Sequence, residues 1–180
     1  MKINIGSGYR KYPNFINLDK DTNTHPDYVI DFEKDLLPFD DNTIDEVKAH
    51  YIFEYLGDKF FFLMKEIYRV CKPEAILDIA TIHHRSELWY DDINHVRFIT
   101  VENMKMFSKK FNNLNIASFK SNVNIANTLD IDFEIIDFEY KLFSDWEERF
   151  KSLTPEQIID ITKNFNNVYK ETYIKMMVIK

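Results

Sequence analysis

A glycine turn, Gly6-Ser7-Gly8, stands between two short apolar runs, Ile3-Asn4-Ile5 and Phe15-Ile16-Asn17-Leu18, and the second run ends on Asp19. Strand, glycine turn, strand, carboxylate is an order that suits a nucleoside. A glycine lets the main chain approach a ligand because no Cβ intervenes. A carboxylate at the carboxyl end of the next strand can accept hydrogen bonds from both hydroxyls of a ribose. Two of the chain's three glycines sit in this turn. Taken alone, the same residues also describe an ordinary tight turn followed by a solvated acid.

A second group lies further on. His83 and His84 directly follow an apolar run, and Trp89, Tyr90, His95 and Arg97 come in the loop after it. Imidazole titrates near neutral pH, so these histidines can serve as a base or as a donor to a substrate. Trp89 and Tyr90 can wall a flat or sugar-like acceptor, or pack as a lid or an edge. His95 and Arg97 can equally bond Asp91 or Asp92 in a solvated loop. The histidines have no regular ligand spacing, so no metal is expected.

The elements that would position these groups alternate. Tyr28-Val29-Ile30 reads as a short buried strand ending on Asp31, and Ile44 to Ala49 as another. Residues 58–71 read as a helix capped by Asp58, with Phe60, Leu63, Met64, Ile67, Tyr68 and Cys71 on one face and Pro73 as its stop. Ala75 to Thr81 is apolar on both faces, as in a parallel sheet covered on both sides. Thr100 caps a helix across Val101 to Phe111. Residues 112–130, rich in Asn, read as irregular and mobile. Ile131 to Phe143 alternates like a half-buried strand, Thr154-Pro155-Glu156 opens a helix, and Tyr173 to Ile179 is a last strand. The class is therefore α/β, a Rossmann-like, mainly parallel sheet with helices on both faces. Ligands of such sheets bind beyond the carboxyl ends of the strands, where Gly6, Asp19, Asp31, Tyr51 and His83 fall.

Composition narrows the function. At 180 residues the chain suits a single domain spanning residues 1–180, and 45% apolar residues make it globular. A net charge of −7 without a concentrated Lys/Arg stretch argues against nucleic acid. Cys71 is the only cysteine, so a reducing cytoplasm is the expected location. The sequence shows no signal-like leader and no apolar run of membrane-spanning length, so no membrane association is expected. It does not fix an oligomeric state.

The motifs resemble the class I S-adenosylmethionine-dependent methyltransferases, in particular a small methyltransferase type 11-like group with a shortened first crossover. The resemblance rests on Ile3-Asn4-Ile5-Gly6-Ser7-Gly8, on Tyr12 to Asp19, on Leu37-Pro38-Phe39 to Asp45, on Glu66 to Pro73, and on Asp92-Ile93-Asn94-His95-Val96-Arg97 followed by Thr100. It covers roughly residues 2–110, with an echo in an antiparallel last strand. It implies S-adenosylmethionine as cofactor, held by Ile5, Gly6, Ser7, Gly8, Asp19, Lys20, Asp31, Phe32, Ala49, His50 and Tyr51. It implies a small-molecule acceptor, sugar-like by analogy. Catalysis falls to His95 and His84, and acceptor contact to His83, Trp89, Tyr90 and Arg97. Three positions depart from the family's habit. Tyr51 and Tyr55 stand where it commonly has His, and Glu74-Ala75 where a Gly-Gly follows the Lys-Pro turn. These departures leave open a non-catalytic protein that keeps the fold and binds the cofactor or a protein partner.

Overall fold

The structure is a computed structural model that describes residues 1–118 and 124–180. Among the described residues seven strands form one sheet: β1 (Lys2–Ile5), β2 (Ile16–Asp19), β3 (Tyr28–Val29), β4 (Ile44–His50), β5 (Cys71–Ile82), β6 (Phe133–Leu142) and β7 (Tyr169–Val178). Their spatial order is β3-β2-β1-β4-β5-β7-β6. The first five run parallel, and β7 enters antiparallel between β5 and β6. The α/β class, the mainly parallel sheet and the antiparallel last strand are as the sequence leads one to expect.

The strands alternate between two faces with a period of two. Ile3 and Ile5, Val47 and Ala49, Leu77 and Ile79, and Ile174 and Met176 point to one side and are fully buried there. Helix α1 (Lys59–Val70) covers that side with Phe60, Leu63, Met64 and Ile67, which recur every three or four residues. Val101 and Met104 of α2 (Val101–Met104), and Phe107 just beyond it, complete the same core.

The opposite face carries a polar row. Register places Asn17 beside Asn4, Asn4 beside Lys48, Lys48 beside Asp78, Asp78 beside Lys175 and Lys175 beside Asp137. Lys48 Nζ meets Asp78 Oδ2 at 2.5 Å, and Asn4 Nδ2 donates to Asn17 Oδ1 at 3.0 Å. The link from β1 to β2 is too short for a helix, so its aromatic residues cover part of this row instead. Lys48 lies over the rings of Tyr12 and Phe15.

Several local expectations shift. Tyr28-Val29 is an exposed edge strand, not a buried one, because among the described residues it pairs with β2 alone. Cys71 opens β5 and does not close α1: the chain turns extended at Cys71, two residues before Pro73. Asp58 makes no side-chain cap bond. Thr100 does cap, in a reciprocal box with Asn103. The helix expected to reach Phe111 breaks, and Ser108 caps a new one, α3 (Lys109–Ala117). With α4 (Ile125–Leu129) it fills most of the segment expected to be irregular; residues 119–123 of that segment lie outside the described residues. Between β6 and β7 come α5 (Ser144–Phe150), not expected, and α6 (Pro155–Asn164), opened by a Thr154–Gln157 capping box.

Candidate functional site

The glycine turn sits where β1 leaves the sheet. Gly6 and Gly8 both adopt positive φ, +63° and +48°, which other residues reach only with strain. An added Cβ on Gly6 would stand 2.7 Å from Ile52 Cβ. Position 6 is therefore glycine first because of its backbone and Ile52, before any ligand is considered. Ser7 N–H donates to Leu18 O at 3.0 Å and Gly8 N–H to Asp19 Oδ2 at 2.6 Å, which folds the turn onto the end of β2. Asp21 N–H takes the other carboxylate oxygen at 2.9 Å. Two main-chain donors thus fix Asp19 in orientation while each oxygen keeps a further acceptor site.

A cavity of about 240 Å³ opens at these strand ends. It is lined by Gly6, Asp19, Lys20, Asp31, Phe32, Glu33, Tyr51, Ile52, Tyr55 and Leu56. The lining combines the carboxylates of Asp19, Asp31 and Glu33 and the Lys20 amine with aromatic and aliphatic carbon. That donor set suits adenosine, whose ribose diol needs acceptors and whose base needs an apolar slot. Phe32 is buried in the core and also lines the cavity. Asp31 is engaged at the rim, where Lys34 and the Glu33 N–H hold its carboxyl below the usual range. A larger groove, about 520 Å³, runs along β6 and α3 and shares no residue with this cavity.

Of the residues expected to hold a cofactor, six line the cavity: Gly6, Asp19, Lys20, Asp31, Phe32 and Tyr51. Ile5 and Ala49 point into the core, and Ser7 is buried with its Oγ receiving Lys11 Nζ at 3.1 Å. Gly8 is turned to Asp19. His50 faces the opposite side of the sheet from Ala49, as alternation requires. Glu33, Ile52, Tyr55 and Leu56 are the contacts that sequence reasoning missed; for the last three, one-sided spacing directly after β4 was the available signal. Tyr51 turns the chain there with φ +57°, an uncommon conformation for a bulky residue.

The loop after β5 divides into two parts. His83 is buried against Tyr140 and Tyr169, and its Nδ1 accepts the Arg85 N–H at 3.2 Å. Burial, then His84 and Arg85, push its pKa down to about 4, so it is neutral at pH 7. His84 is exposed beside it. The other part docks on the turn after β4. Val96 and Arg97 N–H groups donate to Glu54 O, and Tyr55 Oη donates to Asp92 Oδ2 at 2.9 Å. Arg97 donates to the carbonyls of Leu56 and Gly57 and stacks on Phe60, so its guanidinium is taken up by the fold and not presented to an acceptor. Trp89 is likewise no open wall: it is buried between His95 and Phe98. Tyr90 is exposed. His95 bonds Trp89 O through Nδ1 at 2.9 Å and packs edge-on to Tyr55, one residue from the cavity. Its main-chain N–H donates to Asp92 O at 3.2 Å, but its imidazole bonds Trp89 O and not the carboxylate of Asp91 or Asp92.

Glu54 was not singled out from sequence, although it anchors this region. It is 1% exposed, and its Oε1 accepts the Ile82 N–H at 3.1 Å, joining the turn after β4 to the end of β5. Burial raises its carboxyl above the usual range. Among the described residues, no group of His, Cys, Asp or Glu is arranged to hold a metal ion.

Comparison with known proteins fits this geometry. A family model described as a methyltransferase domain matches residues 10–79. The fold is that of the class I methyltransferases. A solved S-adenosylmethionine-dependent methyltransferase from Archaeoglobus fulgidus superposes with a TM-score of 0.63 at 17% identity, covering 98% of this chain and 85% of that one. A methyltransferase from Thermotoga maritima, described as a possible histamine N-methyltransferase, gives 0.57 at 11%, covering 99% and 81%. The cyclase SpnF has the same methyltransferase-like fold, with a TM-score of 0.57 at 14%, covering 99% and 75%. No curated protein sequence matches the chain.

Proposed function

We propose that this chain binds S-adenosylmethionine in the cavity between Gly6, Asp19, Phe32 and Ile52, and transfers its methyl group to a small-molecule acceptor. The observation that supports this reading is the Asp19 carboxylate, oriented by two main-chain donors in the lining of a cavity that also carries aromatic and aliphatic carbon. Asp19 takes the ribose hydroxyls, and Phe32, Ile52 and Leu56 pack the base. S-adenosylmethionine supplies an electrophilic methyl on a sulfonium, so the protein's own task is alignment, plus removal of a proton where the acceptor carries one. His95, through its position on Tyr55, and His84 are the candidate bases of the loop after β5. The chain acts as one domain in a cytoplasmic setting.

A second reading is favoured by one feature. Ile52 is pressed against Gly6, and at about 240 Å³ the cavity is smaller than the roughly 300–1,000 Å³ usual for ligand pockets. A protein that binds a nucleoside without transferring a methyl would look the same, and SpnF shows that the fold also serves a cyclase.

Calorimetry separates the readings. S-adenosylmethionine and S-adenosylhomocysteine both bind the wild-type chain, and Asp19→Ala weakens them about tenfold to a hundredfold, the worth of a charged hydrogen bond of roughly 1.5–3 kcal/mol. Unchanged affinity in the variant removes Asp19 from the site. Tight binding of adenosine, with none of either methionine-bearing ligand, supports the second reading.

A further inference from the structure

We propose that Tyr12, backed by His50 and Asp78, is the proton-accepting group for a hydroxyl acceptor, at a site formed where the short crossover from β1 to β2 passes over β4. The inference rests on the methyltransferase reading and adds to it the acceptor class and, in place of His95 and His84, the catalytic side chain.

The geometry is a chain of contacts on the polar face of the sheet. Tyr12 Oη lies 2.8 Å from His50 Nδ1. On the other side of the imidazole, Nε2 is buried without a hydrogen-bond partner and stands 3.5 Å from Asp78 Oδ1, in the adjacent strand. Lys48 holds the second oxygen of Asp78 at 2.5 Å. The carboxylate favours the tautomer with hydrogen on Nε2, which leaves Nδ1 free to accept from the Tyr12 hydroxyl. His50 and Asp78 are shielded, their side chains 9% and 13% exposed, while Tyr12 reaches the surface. Burial pulls the Asp78 carboxyl up, yet His50 and Lys48 hold it down at about 2, so it stays charged beneath the imidazole.

The surroundings tie this chain of contacts to the cavity. Tyr51, which lines the cavity, lies beside His50 and under the exposed Arg10 guanidinium, 5.1 Å from its ring. Tyr51 Oη meets Tyr173 Oη at 3.4 Å, and Tyr173 reaches Glu171 at 3.3 Å. Ala80 lies between His50 and Tyr173 in register, and the rings of those two meet edge-on at 6.3 Å. Three phenols and one guanidinium therefore gather around His50 at the ends of β4, β5 and β7. Had a helix filled the first crossover, neither Arg10 nor Tyr12 would lie here.

The proton balance follows from these contacts. The acceptor's O–H proton passes to Tyr12 Oη as the Tyr12 proton passes to His50 Nδ1, leaving imidazolium opposite Asp78. The acceptor oxygen forms its new bond to the methyl carbon, and the electron pair of the broken carbon–sulfur bond stays on sulfur, which becomes neutral. Tyr12 is the catalytic residue; His50 and Asp78 are positioning residues.

The test uses the full chain with S-adenosylhomocysteine for binding, and with S-adenosylmethionine plus catechol and methyl glucoside as hydroxyl probes. Wild type binds S-adenosylhomocysteine and methylates at least one probe. Tyr12→Phe keeps the affinity and the unfolding midpoint but loses kcat by about 10²–10⁴-fold, with KM little changed. His50→Gln does the same. Independently of turnover, nitrogen NMR finds His50 protonated on Nε2, with its Nδ1 resonance displaced in Tyr12→Phe. Full activity in Tyr12→Phe, an Nδ1–H tautomer, or binding of S-adenosylhomocysteine without methylation of either probe overturns the proposal. Failure to bind S-adenosylhomocysteine at all overturns the methyltransferase reading beneath it.

Discussion

On one face of the sheet Ile3, Val47, Leu77 and Ile174 are sealed beneath α1; on the other, the alternate residues of the same strands, Asn4, Lys48, Asp78 and Lys175, lie side by side as a polar row. The first face follows from local pattern, since apolar residues at the right spacing bury wherever a matching helix lies over them. The second depends on register. A slip of one residue in β4 would put Lys48 and His50 into the core and Val47 into the polar row. The polar row therefore helps fix how the strands align, and it places Asp78 behind His50.

Three measurements sharpen or break this contrast. The largest effect belongs to the apolar face. Leu63→Ala should cost about 2–5 kcal/mol in urea unfolding, through lost burial and the cavity left behind. A cost below about 1 kcal/mol would mean that α1 does not close the core as described. Next comes His83, a polar group held under core conditions just past the end of β5. Its pKa falls from 6.5 to about 4 on folding. Stability is thus fully present above 6.5 and is lost as pH falls through about 4. The slope integrates to about 3 kcal/mol. His83→Gln should flatten that window, and an unaltered profile would show that the ring is solvated. The smallest effect belongs to the polar row. Asp78 drops from 3.8 to about 2, so its contribution is present above 3.8 and disappears as pH falls through about 2. Asp78→Asn should cost about 2 kcal/mol at pH 7 and remove that acid limb. A neutral substitution would make the row incidental to stability.

The sequence made the sheet legible because its signals are local. The glycine turn, Asp19, the period of α1 and the Thr100 and Thr154 caps each act within a few residues of themselves. Asp19 could be placed at a strand end from order alone. What stayed hidden depends on distant partners. Nothing near Trp89 says that Phe98 will cover it, and nothing near Arg97 says that Leu56 and Gly57 will take its donors. His50 read as a cofactor contact because it ends β4, but strand alternation turns it the other way. The Lys-Pro turn is instructive. It is a bulge within β5, where pairing jumps from Cys71 to Ile76, and Glu74 adopts φ +64°. The family's usual glycine fits that conformation, so the departure at Glu74 concerns backbone strain of about 1–2 kcal/mol and says nothing about chemistry.

The insertion of β7 between β5 and β6 has a consequence for how the chain is made. As the polypeptide emerges, β1 to β5 can assemble in order, but the outer edge of β5 and the whole of β6 wait for residues 169–178. Until then two unpaired strand edges stand open, the usual starting point for wrong pairing between chains. The sheet is thus closed late, by a strand that must thread between two earlier ones. Truncations that remove β7 should yield aggregates and not a smaller native sheet.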